Sequence, residues 1–277
     1  MKYTLKTLAA ACALALTLPV SLSAMAQDKV KLQWYGQAAF KITTPTGKVI
    51  VIDPWITSNP RTPEALRKLE TLGKVDLVLA THGHFDHMAD VPALVKMHNA
   101  PFWGPAGMAQ SMAMMGILPA ELSNRMNKGG TIQPFGPGGV KITMTYAEHS
   151  SELVWKDANG KDQMLIGGEA CGFIIELENG FKIWHLGDTG LYGDMKFLGE
   201  RHKVDLLLTP IGGGQFVMNP EDAAYATREL IKPKAVIPMH YAANKFLVGT
   251  PEQFGKAMGP GSAVKVLQVK EGDTVEF

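Results

Sequence analysis

The 277-residue sequence contains only two cysteines and almost no net charge. Its 27 Lys and Arg residues and 26 Asp and Glu residues leave a formal charge of +1, so no basic excess attracts nucleic acid or an anionic membrane. Removal of an N-terminal segment containing Cys12 would leave Cys171 alone, which excludes an intrachain disulfide. Glycines 212–214 are not followed by Lys and Ser or Thr, which excludes a nucleotide-binding P-loop. With 46% hydrophobic and 19% charged residues, the composition is that of a globular protein.

The N-terminal segment has the pattern of a secretory signal peptide. Lys2 and Lys6 precede an apolar run over residues 8–18, and Ala24 and Ala26 fit an A-x-A cleavage site. The apolar run is too short to span a bilayer.

We therefore predict that residues 1–26 are removed and that residues 27–277 form the mature domain. The product is expected to be periplasmic or secreted, without stable membrane insertion. One alternative is a buried N-terminal helix. Another is lipidation at Cys12, which is disfavoured because the apolar run continues beyond that residue.

Apolar runs separated by turn clusters predict a domain that is rich in strands. Several of these runs are continuously apolar, which is typical of strands that are buried on both faces. The predicted strands cover residues 30–35, 40–43, 49–52, 75–80, 140–146, 173–177, 182–185, 204–209, 236–239 and 264–269.

Helices are predicted between these strands. Two cover residues 63–72 and 89–98, a third follows Asn219 and Pro220 as far as residue 231, and a fourth follows Thr250. The same order of elements occurs twice, first before residue 100 and again after residue 140. In each case a group of strands leads to a strand that ends in a loop, and a helix follows. We therefore expect two related α/β halves in one domain, with sheets inside and helices outside.

Three histidines and an aspartate lie within six residues directly after the strand predicted over residues 75–80: His82, His84, Asp86 and His87. Buried histidines without partners are costly and clustered ones repel once protonated, whereas a metal ion takes neutral imidazoles and ionised carboxylates as ligands. Gly83 lets His82 and His84 point the same way. Asp86 and His87 then project toward a second position beside the first. The cluster therefore predicts two adjacent metal positions, with a solvated polar loop as the alternative.

His149, Asp188 and His240 each follow a later predicted strand. Side chains at the ends of several strands meet at one rim of a sheet, where α/β proteins place their sites. Each of the three alone would be read as a structural residue. Together with the earlier cluster, they complete the expected ligand set.

The order of these motifs resembles that of the metallo-β-lactamase superfamily, over nearly all of residues 30–277. Within the superfamily, the chain is similar to metal-dependent hydrolases related to ascorbate-6-phosphate lactonase. The matching phrases are Val-Ile-Asp-Pro at 51–54, the cluster at 81–87, Glu-His-Ser-Ser at 148–151, His-Leu-Gly-Asp-Thr-Gly at 185–190, Pro-Ile-Gly at 210–212 and Pro-Met-His-Tyr at 238–241. The resemblance implies the α/β class and a four-layer αββα sandwich in a single domain.

The resemblance also implies a distribution of ligands over two divalent metal ions. One ion would be held by His82, His84 and His149, the second by Asp86, His87 and His240, with Asp188 bridging them. Imidazole and carboxylate donors suit zinc, which is our first choice, and also manganese, iron or nickel.

A pair of metal ions predicts hydrolysis of a small-molecule substrate. Metal coordination lowers the pKa of water to about 7, so a metal-bound hydroxide is the expected nucleophile. Asp86 or Asp188 is the expected proton carrier. The resemblance makes an ester or lactone the first substrate choice, ahead of phosphodiesters and β-lactams, and no nucleic acid is expected as a partner. A redox protein and a non-catalytic metal-binding protein are the alternatives from other classes.

Three further residues are candidates for supporting roles. Asp53 ends a buried strand and is expected to accept a hydrogen bond from a ligand imidazole, with a simple strand-end turn as the alternative. Tyr241 and Asn244 follow the last predicted ligand and are candidate substrate contacts, although Tyr241 equally fits the edge of the core. Residues 150–170 are expected to form a long loop near the cleft, and residues 212–216 depart from the family pattern.

Overall fold

A computed structural model describes residues 29–157 and 159–277. The predicted signal peptide, with Cys12 and the cleavage site, lies outside the described residues. Within the described part of the chain, every helix is too short or too polar to cross a membrane.

The described residues form strands that are distributed over two large sheets and one hairpin. In chain order, the strands are β1 Lys31–Gly36, β2 Ala39–Thr43, β3 Val49–Ile52, β4 Leu77–Leu79, β5 Phe102–Pro105, β6 Ser123–Met126, β7 Thr131–Ile132, β8 Lys141–Tyr146, β9 Glu152–Lys156, β10 Asp162–Ile166, β11 Cys171–Glu176, β12 Lys182–His185, β13 Leu206–Pro210, β14 Ala235–Met239, β15 Lys265–Val266 and β16 Thr274–Glu276.

The α-helices of the described residues are short. They are α1 Phe85–Met88, α2 Val91–His98, α3 Ala106–Met114, α4 Asp194–His202, α5 Pro220–Tyr225 and α6 Pro251–Met258. A π-helical segment, Ala226–Ile231, continues α5.

The two large sheets have similar topologies. The first has the order β16-β1-β2-β3-β4-β5-β6 and the second the order β15-β14-β13-β12-β11-β8-β7. In the first sheet, antiparallel pairing from β16 through β3 gives way to parallel pairing from β3 through β6. In the second sheet, antiparallel pairing from β7 through β12 gives way to parallel pairing from β12 through β15. The expectation of two related α/β halves is confirmed.

Alternate side chains of the strands face different clusters of the core. In β3, Ile50 and Ile52 point between the two sheets, whereas Val51 points outward to the cluster that α2 and α3 cover. In β13, Leu206 and Leu208 face the space between the sheets, and Leu207 joins the outer cluster under α4, α5 and α6. Because the strands are apolar on both faces, helices cover each sheet on its outer side. The predicted four-layer αββα arrangement is confirmed.

Two helix starts agree closely with the sequence prediction. The Asn219 side chain accepts a hydrogen bond from the Asp222 backbone N–H at 2.8 Å, directly before α5. Thr250 and Gln253 form a reciprocal capping box at the start of α6.

Other predicted elements were wrong in extent. The helix expected over residues 63–72 is two 3-10 turns, Glu64–Leu66 and Leu69–Leu72, because Lys68 adopts an extended conformation between them. The strand expected over residues 264–269 is only Lys265–Val266. The long loop expected over residues 150–170 is largely the antiparallel hairpin of β9 and β10.

Candidate metal centre

The predicted ligands lie together at one end of the sandwich, between the two sheets. The early cluster follows β4 of the first sheet, with His82 in the loop and Asp86 and His87 in α1. The remaining ligands follow strands of the second sheet: His149 after β8, Asp188 after β12 and His240 after β14. Both sheets therefore contribute to a single site.

One group of donors consists of three imidazoles. His84 Nδ1 lies 2.9 Å from His82 Nε2 and 3.3 Å from His149 Nε2. Such close ring nitrogens are the spacing expected of atoms that share one cation, and the three residues form a cluster of metal-ligand geometry.

A second cluster of metal-ligand geometry contains Asp86, His87 and His240. Asp86 Oδ2 lies 3.8 Å from His87 Nε2 and 3.5 Å from His240 Nε2. Its mixture of one carboxylate and two imidazoles differs from the all-imidazole first group.

Asp188 stands between the two groups. Its Oδ2 lies 3.7 Å from His149 Nε2 and 2.9 Å from His240 Nε2, and its Oδ1 lies 3.3 Å from His87 Nε2. This carboxylate contacts members of both groups, which is the placement that the predicted bridging role requires.

Orphaned buried atoms test whether these residues fit a metal. His87 Nε2, Asp188 Oδ1 and His240 Nδ1 are buried and have no partner of hydrogen-bond geometry among the described residues. His87 Nε2 and Asp188 Oδ1 face each other without such a bond. Buried polar atoms are almost always satisfied, so this arrangement fits a cation between them.

The pKa shifts divide the histidines into two kinds. Burial lowers the pKa of both His82 and His149 below the ordinary value of 6.5, which favours neutral, ligand-competent rings. Burial also opposes charge on His87 and His240, but nearby carboxylates together outweigh it: Asp188, Asp53 and Asp86 for His87, and Asp188 and Asp86 for His240. The pKa of His87 is therefore well raised and that of His240 rises to about 9. Burial raises the pKa of Asp188, but His240 and His87 hold it well below its ordinary range. A bound metal would replace the protons on His87 and His240 as the compensating charge.

Asp53, the candidate partner of a ligand imidazole, lies directly behind the second group. His87 Nδ1 donates to Asp53 Oδ2 at 2.8 Å, which leaves His87 Nε2 free to face the other ligands. Asp53 also accepts hydrogen bonds from the backbone N–H and the hydroxyl of Thr81, at 2.6 and 2.7 Å. The carboxylate is therefore held in place by the end of β4 while it orients His87.

Sequence reasoning did not identify two residues that contact the predicted ligands. Glu152, at the start of β9, lies 2.9 Å from His84 Nε2 through its Oε2 and also accepts from Ser150 Oγ. Gln37, in the β1–β2 turn, places its amide nitrogen 3.1 Å from Asp86 Oδ2. Neither lies in a motif, and only folding brings them to the site.

Tyr241 and Asn244 have other contacts. The ring of Tyr241 packs against Trp34 with a centroid distance of 5.7 Å, and burial raises the pKa of its hydroxyl to about 12. Exposed Asn244 accepts a hydrogen bond from the Phe246 backbone N–H through Oδ1. Their assignment as substrate contacts stays a prediction.

A four-layer αββα fold with imidazole and carboxylate donors at the ends of both sheets defines the metallo-β-lactamase class of metal-dependent hydrolases. A family described as a beta-lactamase superfamily domain matches residues 48–241. A UPF0173 metal-dependent hydrolase of Cupriavidus necator is 53% identical over 250 residues, which cover 90% of this chain and 86% of the relative. One from Rubrobacter xylanophilus is 40% identical and covers 88% of this chain and 95% of the relative.

Solved structures agree with this relationship. Igni18, a metallo hydrolase from Ignicoccus hospitalis, superposes with a TM-score of 0.75 at 33% identity, covering 90% of this chain and 98% of that chain. An isothiocyanate hydrolase from Delia radicum gut bacteria shares the fold with a TM-score of 0.62 at 19% identity. The match covers 88% of this chain and 98% of that chain. The chain belongs to the metallo-β-lactamase superfamily and, within it, to the UPF0173 metal-dependent hydrolases. The predicted superfamily and hydrolase class are confirmed.

Proposed function

We propose that this chain is an exported, dinuclear zinc hydrolase that cleaves small, uncharged esters or lactones. The observation that carries the proposal is the arrangement of two three-residue donor groups on either side of Asp188. Zinc is our first choice because imidazole nitrogen and carboxylate oxygen are among its usual ligands. The buried thiol of Cys171 contacts the Thr81 carbonyl and belongs to neither donor group.

When bound, the metal ions would supply Lewis acidity and activate water at neutral pH. The protein holds the surrounding groups in position. Asp188, with 4% of its side chain exposed, is enclosed by the histidines, whereas Asp86 retains 18% exposure. Burial raises the pKa of Asp86, but His87 and His240 hold it at about 2, so this carboxylate is ionised and would hold a proton only transiently. We assign to Asp86, the more exposed of the two carboxylates, the transfer to solvent of the proton that the activated water releases.

A cavity of about 450 Å³ beside His149 supports a small-molecule substrate. Its wall carries three carboxylates, Glu148, Glu152 and Glu169, and one ammonium, Lys128. Glu169 lies 3.5 Å from the Lys128 ammonium, so this positive charge is already partly compensated. An excess of carboxylates repels anions, which favours uncharged esters and lactones over phosphodiesters and nucleic acid.

A substrate panel on metal-defined protein tests this proposal. Metal-free protein would be reloaded with zinc, manganese, iron or nickel and assayed with neutral esters, lactones, phosphodiesters and β-lactams. We expect zinc-dependent turnover of an ester or lactone that a chelator abolishes and zinc restores. The variant His149→Asn should be inactive, whereas His202→Asn, at the end of α4, should retain activity.

Other outcomes would identify a different function. Preferential turnover of phosphodiesters or β-lactams would contradict the assigned substrate class. Iron with visible absorbance and redox activity would indicate the redox alternative, and tight metal binding without turnover would indicate a non-catalytic protein. For export, a mature N-terminus at Gln27 in the periplasm or medium is the expected result, and full-length protein in the cytoplasm would contradict it.

A further inference from the structure

Gln37 lies in the tight turn between β1 and β2, with only 1% of its surface exposed. Its backbone carbonyl accepts hydrogen bonds from the Trp34 indole N–H at 3.0 Å and from the His240 backbone N–H at 3.2 Å. The turn is therefore attached directly to the loop that carries His240.

The side chain of Gln37 points into the second donor group. Its Nε2 lies 3.1 Å from Asp86 Oδ2 and 2.8 Å from His240 Nε2. Those two ligand atoms are themselves only 3.5 Å apart, so the amide contacts both at once. The other amide atom, Oε1, is buried and has no hydrogen-bond partner among the described residues. Only one of the two amide atoms thus has hydrogen-bond partners in the described part of the chain, and both partners are predicted metal ligands. The structure of the turn does not by itself require a buried amide at this position.

The backbone of Gln37 is strained. Its φ of 52° lies in the left-handed region, which glycine and asparagine tolerate better than glutamine. Asp53 and His240, with φ values of 48° and 55°, share this conformation at the same centre. Strained residues that persist in a fold cluster at functional sites, and Asp53 and His240 already have predicted roles there. Gln37 is the member of this group without one.

We propose that Gln37 is a positioning residue of the second metal position, formed by Asp86, His87 and His240. Its amide N–H donates to Asp86 and holds that carboxylate beside His240, so the donor atoms are in place before a cation arrives. Among the described residues, Gln37 makes no hydrogen bond to the first position, formed by His82, His84 and His149. This inference rests on the proposed dinuclear site.

Zinc binding to the mature protein tests the proposal directly. Stoichiometry would be measured by metal analysis and affinity by competition with a chromophoric chelator. Gln37→Asn keeps an amide but shortens its reach by one methylene, and Gln37→Gly removes the side chain while it relieves the left-handed backbone. We expect both variants to retain the first zinc and to bind the second about 10- to 100-fold more weakly, the usual range for a group that orients ligands.

Gln33→Asn is the matched control, since Gln33 lies in β1, the strand that leads into the turn, and donates instead to the Gly272 carbonyl at 3.2 Å. It should bind both zinc ions as the wild type does. Thermal unfolding of each variant would show that it is folded, and Gln37→Gly should remain so because its strain is relieved.

Wild-type affinity for both zinc ions in Gln37→Asn and Gln37→Gly would overturn the proposal, as would equal weakening of both positions. A wild-type protein that binds a single zinc ion would overturn the dinuclear site itself and this inference with it. The wild-type titration thus separates the two failures.

Discussion

Each donor group contains one histidine whose outer ring nitrogen meets a carboxylate. In the second group, His87 Nδ1 donates to Asp53, which is fully buried. In the first group, His84 Nε2 lies 2.9 Å from Glu152, whose side chain is 47% exposed. Such carboxylates fix the ring orientation and raise the basicity of the ligating nitrogen. Asp53 is shielded from water and Glu152 is not. Substitution of Asp53 should therefore weaken metal binding more than substitution of Glu152.

Asp53→Asn is expected to weaken zinc at the second position by about 10- to 100-fold. The amide can present its NH₂ group to His87 Nδ1, which would favour the tautomer with a proton on the ligating Nε2. Zinc competition titrations would measure the change.

Asp90→Asn is the control for this substitution. Asp90 is another buried carboxylate, but the side-chain hydrogen bonds that it accepts within the described part of the chain come from Ile56 and Thr57. This variant should lose stability and keep both zinc affinities. Wild-type zinc affinity in Asp53→Asn would show that Asp53 is only a turn residue.

Glu152→Ala is expected to weaken zinc at the first position by less than about tenfold, because solvent screens a half-exposed pair. The same titration would measure it, with Glu148→Ala as the neighbouring control. A loss as large as that of Asp53→Asn would contradict the argument from exposure.

The sequence made Asp53 a candidate because a carboxylate at the end of a buried apolar strand can reach a ligand imidazole, with a simple turn residue as the alternative. Glu152 and Gln37 could not be found in this way. His84 and Glu152 are separated by 68 positions, and Gln37 and His240 by 203. Their contacts depend on how the hairpin and the β1–β2 turn pack against the rest of the fold.

At the level of elements, α4 and α6 each contain a glycine, and the space around the two glycines differs. In α4, a Cβ added at Gly199 would lie 2.7 Å from the Ile231 backbone of the π-helical segment. In α6, a Cβ added at Gly255 would meet no atom of the described residues within 4 Å. The first glycine permits a close helix contact, and the second does not.

Gly199→Ala should therefore lower the free energy of unfolding by about 1–3 kcal/mol, the usual cost of overpacking. Gly255→Ala should raise it by roughly 0.5–1 kcal/mol, since alanine is the better helix former. Denaturant unfolding would measure both. Equal effects of the two substitutions would contradict the packing argument.

Helices and strands with a strong local sequence pattern were predicted well, whereas those without one were missed. Continuous apolar runs located β3 and β13, and the caps at Asn219 and Thr250 located two helix starts. β5 reads Phe-Trp-Gly-Pro and β6 reads Ser-Asn-Arg-Met, so neither has a strand pattern of its own. Both are strands because they extend the parallel side of the first sheet.

At the level of the whole molecule, the donor residues connect the two sheets. The cluster after β4 belongs to the first sheet, and His149, Asp188 and His240 belong to the second. A metal ion bound between them would stabilise the folded state because the unfolded chain does not present this arrangement.

Each zinc ion, at about 100 times its dissociation constant, should add about 2.7 kcal/mol to the free energy of unfolding. For a chain of this size, that corresponds to a rise in Tm of roughly 5–10 °C. Thermal unfolding with zinc and with excess chelator would measure the difference. His149→Ala should show a smaller shift, and a Tm that is indifferent to chelator would contradict a structural contribution from the metal.

The two ends of the described chain pair with each other at the edge of the first sheet. Val30 and Phe277 exchange backbone hydrogen bonds at 3.1 and 3.0 Å, and Lys29 reaches Glu276. A short peptide could therefore join residue 277 to residue 29 and close the backbone into a ring. Reopening that ring at the exposed turn around Gly180, which joins β11 to β12, would give a circularly permuted enzyme in which every strand keeps its neighbours.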